Sequence, residues 1–145
     1  GSVRMQIAMD DALAKAPGGT ERELLDVGYA VVEFAMNHKH VFELMIANES
    51  GVALEDLAAV PEDVGFGAAR RMVRGWQKKK LLRAGDPDAI ALSLWVTTLG
   101  IALLVMRGQV RAKGTALRSL VDALHGRMLA GLAPTAPSLT GQRAR

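Results

Sequence analysis

The 145-residue chain contains no cysteine. That excludes disulfides, thiol catalysis and cysteine-based zinc sites, and fits a reducing compartment such as the cytoplasm. No alternating apolar and polar run of useful length occurs, so no strand is expected, and no internal repeat is evident. A secretory leader is not read either, because Arg4, Gln6 and Asp10 interrupt the apolar residues Val3, Met5, Ile7 and Ala8. Gly1-Ser2 reads as the remnant of a cleaved tag, with Val3 not the natural start. Two further absences are local. From Ala89 to Met106 no side chain carries a charge, and from Arg70 to Arg83 there are seven basic residues and no acid. The other 11 basic residues face all 15 acidic ones, so the excess positive charge sits on one segment.

The charge-free stretch organises the chain. Asp86 is placed to cap a helix, Pro87 fits its first position, and Asp88 suits the positive end of the helix dipole. A helix apolar on every side must be covered all round, by protein or by lipid. Ser93, Thr97, Thr98 and Gly100 interrupt the run and no second comparable segment exists, which disfavours a membrane span. Cover by the chain's own core on one face and by a second copy on the other predicts a homodimer.

Other helices follow from spacing and punctuation. Residues 5–16 place Met5, Ala8, Met9, Ala12 and Leu13 on one narrow face before Pro17-Gly18-Gly19. Thr20-Glu21-Arg22-Glu23 has the form of a capping box opening a helix to about Asn37, whose Tyr29, Glu33 and Asn37 make one polar stripe. That stripe faces solvent or supplies polar contacts to a cavity. His38-Lys39-His40 bends the chain before a short helix carrying Val41, Phe42, Met45 and Ile46, and 48–52 reads as a loop. One or two turns span 54–60, and Pro61 opens a helix running to about Leu82, with Gly85 as its C-cap residue. Thr115 caps a last helix with Leu117, Leu120, Val121, Leu124 and Met128 in register, and 133–145 reads as a flexible tail. The expected fold class is all-α, a helical bundle forming one domain of ordinary size over 3–132.

Catalytic chemistry finds little footing. His38 and His40 are two apart and point in different directions on a helix, and His125 stands alone, so no metal site is expected. Ser93, Thr97 and Thr98 have no His or carboxylate one turn away to act as base; bonding back to helix carbonyls is the simpler role. Asp10-Asp11 and Glu62-Asp63 lie at helix ends, where dipole complementarity explains them. Gly65-Phe66-Gly67 follows no strand and is not a phosphate loop. The basic segment with Trp76 suits either a nucleic-acid surface or a solvated helix face with its ring turned inward. Phe34, Met36, Phe42, Met45, Phe66, Met72, Trp76, Trp95 and Met106, from several helices, suit a pocket for an apolar or aromatic ligand, or a packed core.

The order of elements, with the segments YAVVEFAMNHKHVFELMIANES and GDPDAIALSLWVTTLGIALL, resembles the C-terminal ligand-sensing and dimerisation domain of the tetracycline-repressor (TetR) family of bacterial transcriptional regulators. It is most similar to the subgroup whose penultimate helix carries a Trp-x-x-x-His-Gly element. Trp95 and Gly100 match that element, while Leu99 stands where the family often has His.

The resemblance implies a non-enzymatic repressor domain whose N-terminal helix-turn-helix lies outside this sequence. Residues 5–16 would then be the remainder of the helix linking pocket to DNA-reading domain. It implies no cofactor and no metal, a small apolar or aromatic effector, contact with DNA only through the missing domain, and a homodimer with a four-helix interface. Carried onto this chain, Phe34, Met45, Met72, Trp76, Trp95, Thr98 and Leu99 would bind ligand. Leu94, Thr97, Ile101, Leu104, Leu117, Leu120, Val121, Leu124 and Met128 would form the dimer interface. The alternatives are a stand-alone helical binder or enzyme, and a nucleic-acid module using residues 70–80.

Overall fold

A computed structural model describes residues 2–48, 53–63 and 65–134. These form α1 (Ser2–Lys15), α2 (Glu21–Asn37), α3 (Lys39–Asn48), a 3₁₀ helix (Leu54–Ala59), α4 (Gly65–Lys78), α5 (Pro87–Met106) and α6 (Gly114–Ala130). The described residues are all helical apart from turns and bends, as the apolar spacing required. The expectations of a loop at 48–52 and a tail at 133–145 lie largely outside the described residues.

α2 is the hub. It packs along α1 and α5 and also touches α3 and α6. Its second half supplies that centre because it is nearly uncharged: Val27, Ala30, Val31, Val32, Phe34 and Ala35 are all buried. Phe42 and Met45 of α3 close one end of the core, while Val73 and Trp76 of α4 and Val121 of α6 enter from the sides.

Helix ends show where local rules held and where they gave way. Asp86 caps α5, its carboxylate accepting from the Asp88 amide at 2.9 Å, with Pro87 in the first position. Thr20 occupies the N-cap of α2 but not as a capping box: its hydroxyl donates to the Pro17 carbonyl at 2.8 Å, and Glu23 accepts from Gly19, not from Thr20. Pro61 does not open α4. Pro61, Glu62 and Asp63 are non-helical, and α4 begins at Gly65, whose φ of 63° lies in the left-handed region. Its C-terminus is closed earlier than expected by Lys80 at φ 62°, where Leu81 N–H reaches the Trp76 carbonyl and Lys80 N–H the Gln77 carbonyl. α6 starts with Lys113 as N-cap and no side-chain cap, so Thr115 lies just inside it.

α5 is long and apolar enough to cross a membrane by length and composition, and a third of its most apolar window is buried in this chain. Ile90, Ala91, Ile101, Ala102, Val105 and Met106 face the interior. Val96 and Leu104 stand out at 61% and 46% exposed. A charge-free helix thus presents an apolar stripe to the outside.

The basic segment is neutralised by acids brought from elsewhere. Arg70 is only 3% exposed. It donates to Glu62 at 3.2 Å, Asp88 at 3.1 Å, the Leu57 carbonyl at 2.7 Å and the Val60 carbonyl, fastening the 3₁₀ helix and the start of α5 to α4. Burial disfavours its charge, but the bonds to Asp88 and Glu62 outweigh that and raise its pKa further. Arg74 pairs with Glu62, Lys79 with Glu23 and Arg71 with Asp10. The segment is therefore largely a structural seam, with Trp76 turned inward.

Candidate functional site: an apolar cavity lined by Thr98 and His125

Five helices line a partly open apolar cavity of about 50 Å³. α1 contributes Met9; α2 contributes Leu24, Val27, Gly28 and Val31; α4 contributes Ala69, Met72 and Trp76; α5 contributes Leu94, Trp95, Thr98 and Leu99; α6 contributes His125, Met128 and Leu129. No charged side chain is among them. The volume holds water-sized occupants, whereas pockets for drug-sized molecules run to roughly 300–1,000 Å³. Flexible Met9, Met72 and Met128 give the wall its capacity to widen.

The polar feature of this wall is a pair. Thr98 Oγ1 and His125 Nε2 lie 2.8 Å apart, joining α5 to α6. His125 is 2% exposed and burial lowers its pKa, so the ring is neutral near pH 7. Its Nδ1 is buried without a hydrogen-bond partner among the described residues. The Thr98 hydroxyl and His125 Nε2 can share that bond in either sense, depending on which ring nitrogen carries the proton. The ring lies flat on α2 because residue 28 is glycine: a Cβ there would stand 2.7 Å from His125 Cε1. Ser93, by contrast, does bond back to the Ala89 carbonyl, at 3.1 Å.

Behind the wall, Trp76 Nε1 donates to Glu23 Oε2 at 3.1 Å. Glu23 also accepts from the Gly19 amide at 3.0 Å and from Lys79 at 3.1 Å. Burial alone would raise its pKa, but Gly19, Lys79 and Trp76 together hold it below the ordinary carboxylate value. A cavity residue is thereby tied to the turn between α1 and α2.

Of the ligand-binding set, the structure brings Met72, Trp76, Trp95, Thr98 and Leu99 together on the cavity. Phe34 and Met45 lie elsewhere. Phe34 borders a separate, open and polar hollow of about 500 Å³ between α1, α2 and α6, and Met45 packs in the core near α3. Tyr29, Glu33 and Asn37 line that open hollow too, not the apolar cavity. Sequence reasoning missed His125 and Glu23. A signal for His125 existed: it falls on the buried register Leu117, Val121, His125, Leu129. Among the interface set, Ile101, Leu117 and Val121 are already buried in the chain and Leu94 and Met128 line the cavity; Thr97, Leu120 and Leu124 are half-buried and Leu104 exposed. Among the described residues no cluster of His, Asp or Glu is arranged to hold a metal.

The described residues form an all-helical domain around an apolar cavity, with an apolar face of α5 left outside. Residues 24–136 match the family model described as tetracyclin repressor-like, C-terminal domain, and the chain belongs to that family. No curated protein matches it. A solved structure of a protein with unknown function from Rhodococcus sp. RHA1 is similar over 90% of this chain, with a TM-score of 0.71 and 25% identity. The chain spans 66% of the length of that protein.

Proposed function

We propose that this chain is the ligand-sensing and dimerisation domain of a TetR-type transcriptional regulator of the Trp-x-x-x-His-Gly subgroup, with Leu99 replacing the His. In this reading a small apolar or aromatic effector enters the cavity and shifts the operator affinity of an N-terminal DNA-binding domain outside this sequence. It is a bacterial, cytoplasmic, non-enzymatic role without a cofactor. The observation that supports it is that α1, the first helix described, supplies Met9 to the same cavity wall as α2, α4, α5 and α6. A ligand that widens the cavity displaces α1, and binding that differs between two positions of α1 is what couples effector to operator.

The exposed stripe of α5 and the outer face of α6 supply the two-fold interface, with Thr97, Leu104, Leu120 and Leu124, joined by Val96, as its surface. A library of neutral apolar compounds tests the sensing role, read by the emission of Trp76 and Trp95 and by melting temperature. Failure of every compound to move either signal would reject it. A strictly monomeric mass by light scattering at micromolar concentration would reject the dimer.

A further inference from the structure

The chemistry of the cavity wall narrows the effector further than its family does, an inference that rests on the cavity being the effector site. No charged side chain lines the cavity, so an ion entering it would lose its hydration without a counter-charge. The ligand it accepts is therefore neutral. Trp76 and Trp95 both line the cavity, and indole side chains favour a planar ring as partner.

The Thr98–His125 pair then decides the polarity of the one specific contact. A neutral imidazole and a hydroxyl joined by one hydrogen bond can be arranged in two ways. If Thr98 O–H donates to Nε2, both lone pairs of Oγ1 remain. If Nε2–H donates to Oγ1, one lone pair remains. Either way the Thr98 oxygen keeps the capacity to accept. In the first arrangement it has no hydrogen left to give a ligand without breaking its bond to His125.

We propose that the cavity selects a neutral aromatic molecule bearing one hydroxyl or N–H donor, held by a hydrogen bond from that donor to the Thr98 hydroxyl oxygen. Trp76, although a hydrogen-bonding residue in the wall, does not compete for the ligand, because its N–H is already given to Glu23. With Thr98 O–H given to Nε2, a ligand offering only a carbonyl or ether acceptor finds no free donor at the pair.

The test uses p-cresol and p-xylene, which have almost the same shape and differ by a hydroxyl in place of a methyl. The chain has two tryptophans and both line the cavity, so its two indole N–H signals in a ¹H–¹⁵N spectrum report occupancy by either probe. The wild-type domain is expected to bind p-cresol about 3- to 10-fold more tightly than the more apolar p-xylene, the range of one net hydrogen bond. Thr98→Val removes the acceptor at constant volume and should invert that preference while keeping p-xylene binding, which also shows the variant to be folded. Thr98→Ser should retain the preference. Tighter or equal binding of p-xylene to the wild type, or a preference for p-cresol that survives Thr98→Val, overturns the proposal and leaves the sensing role intact. If neither probe moves the indole signals, both this proposal and the cavity as effector site fall.

Discussion

Trp76 and Glu23, 53 residues apart in sequence, are joined in the interior by an indole N–H to carboxylate hydrogen bond of 3.1 Å. The carboxylate lies at the first turn of α2 and the indole near the end of α4, so the bond ties the end of α4 to the start of the hub helix. It also places a full negative charge behind an apolar cavity, balanced by Lys79 and the Gly19 amide.

Glu23→Ala leaves the buried Trp76 donor without a partner and the Lys79 charge without its counter-ion. Because Glu23 is 3% exposed, the indole's desolvation is not recovered from water, and the loss should be about 2–3 kcal/mol. Lys79 is half exposed, so Lys79→Met should cost well under half of that. Urea unfolding of the two variants at pH 7 checks the order; a larger loss for Lys79→Met would contradict it.

Two buried groups give stability two separate pH windows. His125 has a lowered pKa in the folded chain, so the unfolded state binds a proton first, near its ordinary value of about 6.5. Stability contributed by neutral His125 is thus complete above that value and declines as pH falls through the lower folded value. Glu23 is also lowered, from 4.5, so its contribution is complete above 4.5 and is lost as pH falls below it. Melting curves from pH 8 to 3 should show both declines. His125→Leu should flatten the upper one and Glu23→Gln the lower.

Three helical glycines should respond differently to alanine. A Cβ on Gly67 would stand 1.6 Å from the Pro61 carbonyl oxygen, a backbone atom that cannot turn aside. Gly67→Ala should therefore lose about 3 kcal/mol or more. A Cβ on Gly28 would strike the His125 ring, so Gly28→Ala should cost about 1–3 kcal/mol and break the Thr98 contact. Nothing lies within 4 Å of a Cβ at Gly75, and there alanine should stabilise by about 0.5–1 kcal/mol through helix propensity. Thermal melts of the three variants give the ranking.

Arg70→Met should lower stability by about 3 kcal/mol, because Asp88 and the Leu57 and Val60 carbonyls lose a buried donor. Arg71→Met, at an exposed pair of 3.8 Å, should change it by less than about 0.5 kcal/mol. Similar losses for the two would show that Arg70 is not the fastening of this corner.

The proposed dimer gives a clean variant. Val96 and Leu104 are exposed in the single chain, so Val96→Asp with Leu104→Glu should leave its helicity unchanged. In a dimer those charges meet an apolar partner surface, and light scattering should show the mass fall to that of one chain.

The sequence by itself determined what depends on near neighbours. The Asp86-Pro87 start of α5, the 3.6-residue spacing of apolar positions, and the charge-free run that must be covered from outside all act within one helix, so their signals lie within a few residues of one another. It also singled out Met72, Trp76 and Trp95, because large apolar side chains on inward faces converge wherever helices pack. Tertiary structure decided the polar interior. Glu23 reads as a capping residue until Trp76 and Lys79 are brought to it from α4 and the turn beyond. Arg70 reads as one more surface cation until Glu62, Asp88 and two carbonyls surround it. His125 finds Thr98 27 residues away, against a glycine on a third helix. A buried polar group is tolerated only where partners meet it, and those partners are supplied by helix packing across the chain, which no local spacing records.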